Sequence, residues 1–575
     1  MPVHNEEIAV IFDEMADLLE IEEANPFRVR AYRNAARTVR SLGRELSALV
    51  AEGKDLTELP GIGKDLAEKI GEILETGTAR ALRDLHKQVP AGLEQLLQIP
   101  GLGPKRVQAL YRDLGVKTLK QLEKAARQGR VQELQGFGAK TQQGILDAIA
   151  AHRVSERRFL LNTAAVYAEP LLEYLRGTPG VDQVVPAGSY RRGRETVGDL
   201  DILVTASAPG AVMERFAGYD EVEQVVSKGT TRSTVILRGG LQVDLRVVQD
   251  ASFGAALHYF TGSKDHNIQI RRLGQQRKLK INEYGVFRNQ KRIGGDTEES
   301  VFAAVDLPFI PPELREARGE VEAARAGRLP RLVELADLQG DLHAHTDATD
   351  GREPLQAMVE GAQQRGLKYL AITDHSRHLT VARGLDKRRL LQQIDAIDGI
   401  NERVRGITVL KGIEVDILED GSLDLPDDVL QRLDLVVGAV HSQFRLPRAR
   451  QTGRILRAMD QRYFSLLAHP SGRLLGERDA YNVDMERVIR HAGERGCYLE
   501  LNSQPQRLDL TDVYCQMAHD EGVLVSINSD AHAASDFDGL RLGISQARRG
   551  WLEKRDVLNA RPLAQLRKLL RRTMG

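Results

Sequence analysis

Cysteine is nearly absent. Cys497 and Cys515 are the only two in 575 residues, and they do not form a metal-spaced pair. A disulfide framework is therefore excluded, and packing in a reducing compartment is the expected role of both. Long apolar runs are missing too: no stretch approaches the ~20 residues that span a bilayer. The opening MPVHNEEIAV has neither the basic region nor the apolar core of a secretion signal. A soluble cytoplasmic protein with no membrane partner is expected. Net charge is the third absence, since 81 Lys plus Arg balance 81 Asp plus Glu. No global field argues for a polyanionic partner, so any such footprint must be local. The chain is too long for one core, and about three to five domains is the prior.

The most informative stretch is GSYRRGRETVGDLDILV, from Gly188 to Val204. It reads as a glycine turn, a basic loop and a strand on which Asp199 and Asp201 face one way while Leu200 and Ile202 face the core. An isolated D-x-D is most often the wet face of a half-buried strand. Here Gly188 and Ser189 precede it with backbone N–H groups and a hydroxyl suited to phosphate, and Arg191, Arg192 and Arg194 add positive charge. Strict alternation in LQVDLRV puts Asp244 on the polar face of a second strand. Three such aspartates suit two magnesium or manganese ions together with a triphosphate.

Toward the N-terminus, Ile8, Ile11, Phe12, Met15, Leu18 and Leu19 recur at helical spacing behind an Asn5 cap. Then L-P-G-I-G (Gly61, Gly63), I-P-G-L-G (Gly101, Gly103) and a looser L-Q-G-F-G ending at Gly138 each open a helical pattern. One G-x-G means little. The repeat resembles helix-hairpin-helix units, which grip a DNA backbone without reading sequence. Lys69, on the first of these helices, is either an ordinary surface lysine or a Schiff-base nucleophile, the latter needing cationic or buried surroundings that Arg28, Arg30, Tyr32 and Arg33 could supply. Downstream, Arg271, Arg272, Arg277, Lys278, Lys280, Arg288, Lys291 and Arg292 stand against one acid, Glu283, which is a local polyanion footprint.

GSYRRG, G-D-L-D, V-D-L-R, YFTGS with Asn267, I-N-E-Y-G and the hairpin units occur in the order found in family X DNA polymerases, and the resemblance covers roughly residues 5 to 315. It implies that Asp199 and Asp201 bridge two metals and that Asp244 binds the one activating the primer 3′-hydroxyl. It also implies that Gly188, Ser189, Arg192 and Gly198 serve the triphosphate, and that Tyr259, Phe260 and Gly262 line the sugar. Asn267 and Arg271 would approach the nascent pair, and Lys69 would be the lyase lysine. Asp65 departs from the pattern, standing where a further lysine is found.

After Pro308, Pro311 and Pro312 a charged segment reads as a helical linker. Strands then alternate with helices in the βα rhythm of a parallel barrel, with strands at 369–373, 408–413, 435–439, 466–468, 498–501 and 524–527. His343 and His345, then Asp350, His375, Glu414, His441, His469, Asp530 and His532 fall at strand ends, taking six of the 14 histidines. Imidazole and carboxylate together suit zinc, manganese or iron, and this set suffices for up to about three ions. It resembles the polymerase and histidinol phosphatase (PHP) domain, implying metal-dependent attack of water on phosphorus.

The expected fold is multidomain. Helix-hairpin-helix regions occupy 1–90 and 91–153, an α+β nucleotidyltransferase palm 154–250, a thumb 251–315, a linker 316–335 and a distorted βα metallo-barrel 336–575. The expected function is gap-filling DNA synthesis with a 3′-to-5′ exonuclease, abasic-site incision or a purely structural barrel being the alternatives for the C-terminal half. Expected partners are gapped or primer–template DNA and deoxynucleoside triphosphates. A monomer associated with the nucleoid, with repair proteins as further partners, completes the expectation. A nucleotidyltransferase for RNA or a small molecule, and a DNA-bridging scaffold, are the competing classes.

Overall fold

The computed structural model describes residues 5–574 apart from 23, 43–45, 89–92, 94–95, 97–98, 100–101, 135, 140, 147–148 and 150–157. The chain divides into two compact units, residues 1–158 with 239–242, and residues 159–238 with 243–575. Among the described residues no helix is long and apolar enough to cross a membrane.

The first unit is helical. Ile8, Phe12, Met15, Leu18 and Leu19 of the Asn5–Ile21 helix are buried with Tyr32, Ala35, Ala36 and Val39 of the Pro26–Ser41 helix. Asn5 starts that first helix instead of preceding it, and its side chain accepts a hydrogen bond from the Leu46 N–H (2.8 Å), tying two helices together. Gly63 caps the Lys64–Thr76 helix and Gly103 caps the Pro104–Leu114 helix, in both cases without a side-chain cap bond. The first hairpin turn is held by the Thr38 hydroxyl, which donates to the Pro60 carbonyl (2.6 Å). Gly101 lies outside the described residues.

The second unit begins with a five-stranded sheet in the order Val181–Pro186, Asp199–Ala206, Gln242–Val248, Arg232–Leu237, Val222–Lys228. The two aspartate-bearing strands are therefore neighbours. A second core, of Ile270, Leu273, Ile281, Val286, Val301 and Phe302, follows in the thumb. The segment expected to be a linker belongs to that core. Leu314, Val321, Ala324 and Leu332 are buried in it, the Glu320–Arg325 helix lies within it, and Trp551 from the C-terminal region packs against it. Charged composition suggested a spacer, but the apolar residues between the charges find a partner.

The C-terminal strands are all parallel, in the orders Gly340–Asp341, Tyr369–Ile372, Thr408–Lys411 and Glu414–Asp416, Val437–Ala439, Leu466–Leu467, Tyr498–Asn502, Val525–Asn528. Parallel bridges His375–Glu414 and Ala344–Ala531 join the two sets into a ring. The bridging residues lie at or beside the expected metal ligands, so ring closure brings those ligands together.

Buried ion pairs pin the halves of this unit. Glu298 receives Arg191 (2.9 and 2.6 Å) and Arg315 (2.6 Å), and Glu316 receives Arg192 and Arg549 (2.9 Å each). Burial alone would raise both carboxylates, but the guanidinium groups outweigh it and hold each at about 2. A depressed native pKa gives stability that is present above the ordinary value of 4.5 and lost as pH falls through about 2. Melting temperature is therefore expected to drop across that window, and less steeply in a Glu298→Gln, Glu316→Gln double variant. Identical slopes would show that these pairs carry no such linkage.

Candidate active sites

In the sheet, Asp244 is only 8 % exposed, and the Thr234 hydroxyl donates to it (2.6 Å) while Arg232 stands 3.5 Å away. Asp201 is pushed up to about 7, first by burial and then by the charges of Asp199 and Asp244, against the pull of Arg246 and Arg192. Such mutual repulsion is what a divalent cation relieves, and the three aspartates fit one on that ground. Gly188 sits against this cluster at φ +60°, and a Cβ there would come within 2.4 Å of Asp201 Oδ2. Position 188 is thus restricted by backbone conformation and by space.

Gly188–Arg191 form one helical turn, and Gly198 sits in the bend before the aspartate strand. Of the three loop arginines expected to meet phosphate, Arg191 is turned away, donating to Glu298 and to the Thr261 hydroxyl (2.7 Å). Arg192 donates to Glu316 and to the Thr261 carbonyl (2.5 Å), and exposed Arg194 stands 3.6 Å from Glu316. The YFTGS motif closes this side. Tyr259 and Phe260 meet edge to face at 5.1 Å, Arg246 lies over Phe260, and a Cβ on Gly262 would stand 3.2 Å from Arg192. Asn267 faces inward, donating to the Tyr259 carbonyl (2.7 Å), so in this structure it holds the backbone of the motif. Arg271 is exposed one turn on, and its Nε donates to the Asn267 carbonyl (3.3 Å).

In the barrel, three overlapping groups each bring ligand atoms within 4.8 Å of one another: His345, Asp350, His375 and His532; His343, His345 and Asp530; and His375, Glu414 and His441. His469 joins through Glu414, 2.9 Å from its Nε2. Every histidine and carboxylate expected from the strand ends is therefore in one cluster. Nε2 of His343 and Nδ1 of His345 and His469 are buried without a hydrogen-bond partner, and His375 Nδ1 lies 2.7 Å from Glu414 Oε2. Orphaned ring nitrogens beside carboxylates in one polar centre fit borderline metal ions. His469 (φ +28°) and Asp530 (φ +52°) hold left-handed backbone conformations that non-glycine residues avoid, strain of the kind found at functional sites.

The supporting shell was not read from the sequence. Glu500 lies 2.7 Å from His343 Nδ1 and Asp416 lies 3.2 Å from His441 Nδ1, fixing which ring nitrogen faces the cluster. Glu500 also accepts from the Asn528 amide (2.9 Å), and the Asn502 amide donates to Asp530 (2.9 Å). The available signal was period-two spacing: Asp416 follows Glu414 by two, and Glu500 precedes Asn502 by two. Burial and its histidine neighbours hold His345 down at about 4, whereas Glu414 and Asp350 overcome burial to lift His375 to about 10. Beside Asp530 and His532 opens a cavity of about 520 Å³, also lined by Arg352, Gln504, Arg541 and Asn162 of the sheet domain. That volume is within the range of small-molecule sites.

The Lys69 side chain is half-buried on its helix. Its ammonium pairs with Asp65 on the same helix, and Arg33 is taken up by Asp13 and Asp17. A Cβ added at Gly61 would stand 3.6 Å from Asn34 Cβ of the Pro26–Ser41 helix.

Fold and sites together define a nucleotidyltransferase joined to a metal-dependent phosphoesterase. The chain is 38% identical over 574 residues to the DNA polymerase/3′-5′ exonuclease PolX of Bacillus subtilis, covering 99% of this chain and 100% of that one. It belongs to the family X DNA polymerases that carry a C-terminal PHP domain. Family models agree: a helix-hairpin-helix domain matches residues 3–79, a SAM-like helix-hairpin-helix tandem 93–151, the DNA polymerase beta thumb 256–316 and the PHP domain 341–504. DNA polymerase lambda of Rattus norvegicus is 27% identical over 280 residues, 44% of this chain and 46% of that one. A probable phosphatase of Caldanaerobacter subterraneus is 28% identical over 209 residues, 34% of this chain and 77% of that one.

The Lys69–Asp65 pair generates a direct test. Borohydride is expected to trap neither the wild type nor Lys69→Ala on DNA bearing a 5′-deoxyribose phosphate. Trapping of the wild type alone would restore the lyase role.

Proposed function

We propose that the protein fills short gaps in DNA by adding deoxynucleotides to a primer 3′-hydroxyl at Asp199, Asp201 and Asp244, and removes 3′-terminal nucleotides at the barrel cluster. The observation that carries this reading is the presence, in one compact unit, of two separate centres, one of aspartates at the sheet and one of histidines and carboxylates buried in the barrel, whose donor sets call for cations. The aspartates would hold magnesium or manganese. The barrel residues would hold zinc, manganese or iron. Ions bound there would supply Lewis acidity for the attacking hydroxyl or water and charge compensation for the leaving oxygen.

The chain's own groups do the rest. Gly188, with its tight approach to Asp201, lets the loop amides and Ser189 meet the triphosphate beside the aspartates, with Gly198 at the strand entry. Arg192 gives the triphosphate a positive charge. Tyr259, Phe260 and Gly262 present a wall to the sugar, and Asn267 keeps that wall in place while Arg271 faces the nascent pair. Gly61, Gly63, Gly101 and Gly103 of the hairpin units would hold the DNA backbone. In the barrel, Glu500 and Asp416 orient His343 and His441, and Arg352 and Arg541 offer charge to a phosphodiester in the adjoining cavity. A cavity of about 520 Å³ is sized for one terminal nucleotide, which favours exonuclease over incision at abasic sites. Action as a monomer on nucleoid DNA in the cytoplasm, with repair proteins as further partners, is part of this reading.

Removing one palm aspartate is expected to cost at least about 100-fold in extension rate, because charge compensation is the main catalytic effect. Asp244→Ala should therefore abolish extension while binding gapped DNA nearly as the wild type does, and near-normal extension would sink the assignment. The two centres share no ligand. Accordingly, His343→Ala or Asp530→Ala should abolish removal of a mismatched 3′ nucleotide and leave extension within about twofold of wild type. Unchanged removal, together with a lowered melting temperature, would make the cluster structural.

A further inference from the structure

The loop assigned to the triphosphate does not stand on the palm alone. It rests on the Leu540–Arg549 helix and on Arg473, both from the metallophosphoesterase domain. Arg473 donates twice to Glu195 (3.1 and 2.6 Å), and the Gln546 amide reaches the same carboxylate (3.4 Å). The Ser545 hydroxyl donates to the Gly193 carbonyl (3.4 Å), and a Cβ on Gly193 would stand 2.0 Å from that hydroxyl oxygen. Arg549 makes the densest set. Only 4 % exposed, it donates to the Arg192 carbonyl (3.0 Å), to Glu316 (2.9 Å) and to Asp512 (2.6 Å), and its own carbonyl accepts from Arg318 (2.6 Å).

Glu316 is thus shared. Its Oε1 accepts from Arg192 Nε at 2.9 Å and from Arg549 at the same distance. A guanidinium neutralised by a carboxylate of its own has little charge left for a phosphate, whereas one that shares the carboxylate with a second guanidinium retains it. We propose that Arg549 is a positioning residue for the incoming nucleotide: it fixes the loop backbone at Arg192 and takes up part of the Glu316 charge, leaving Arg192 cationic toward a triphosphate. This rests on the reading that Arg192 meets the triphosphate. The nuclease domain is then a structural part of the nucleotide site, although the two metal centres share nothing.

The test is steady-state extension by the full chain on gapped DNA, comparing wild type, Arg192→Met, Arg549→Met and Arg549→Met combined with Glu316→Gln. Melting temperature and 3′-terminal cleavage are followed as measures of folding. Arg549→Met is expected to raise the KM for nucleotide about tenfold with kcat within about twofold and cleavage unchanged. Adding Glu316→Gln should bring KM back toward wild type, because the competing carboxylate is gone; a merely structural arginine would leave the double variant as poor or worse. Arg549→Lys keeps the charge but not the simultaneous reach to three partners. It should give an intermediate KM and decides the matter if the methionine variant does not fold. A raised KM in Arg192→Met with normal KM in both Arg549 variants would overturn the proposal alone. An unchanged KM in Arg192→Met would overturn the reading of Arg192 and this proposal with it.

Discussion

Charged groups gathered at one place are the constraint on which both active centres depend: carboxylates around Asp201 in the sheet, and carboxylates among imidazoles in the barrel. Asp201 is lifted to about 7 by burial and by its aspartate neighbours, and in the barrel Glu414 and Asp530 are buried among rings of which His343 Nε2, His345 Nδ1 and His469 Nδ1 lack hydrogen-bond partners. Neither arrangement is a way to stabilise a fold, since buried charge is costly unless compensated. Both become reasonable as preorganised receptors for cations. The scaffold supplies that preorganisation by ordinary means: neighbouring strands for the aspartates, and closure of a parallel ring for the histidines.

The second recurring device is the shared carboxylate. Glu298 links the loop arginine Arg191 to Arg315 of the thumb, and Glu316 links Arg192 to Arg549 of the barrel domain. These pairs are buried, so breaking one partner leaves an uncompensated charge inside the protein. They join the palm, thumb and barrel regions into one compact unit, and they explain why a charged segment with the composition of a spacer is instead packed against Phe302, Leu314 and Trp551. Architecture and electrostatics here are one problem: the loop arginines Arg191 and Arg192 also hold the domains together.

Much of the site was legible because strand alternation and strand-end position are local properties. Spacing puts Asp199 and Asp201 on one face of their strand and Asp244 on the polar face of another, and the barrel ligands fall at strand ends of a βα pattern. What was not legible is partner choice. Whether Arg191 meets phosphate or Glu298, whether Lys69 stands among arginines or beside Asp65, and whether Asn267 faces outward or toward the Tyr259 carbonyl are settled by residues remote in sequence or by a single helical turn. The same holds for Glu500, separated from His343 by the length of the barrel and yet 2.7 Å from its ring. The apolar residues between the charges at 314–332 were visible in the sequence, but the core they join is gathered from residues spread over 255–310, with Trp551 packed against it.

The most direct test of the account is anomalous diffraction from crystals of the full chain grown with manganese. The account predicts anomalous peaks at the aspartate cluster and within the barrel, where His343, His345 and Asp530, then His345, Asp350, His375 and His532, then His375, Glu414 and His441 converge. An empty barrel in a chain that still cleaves DNA would contradict it.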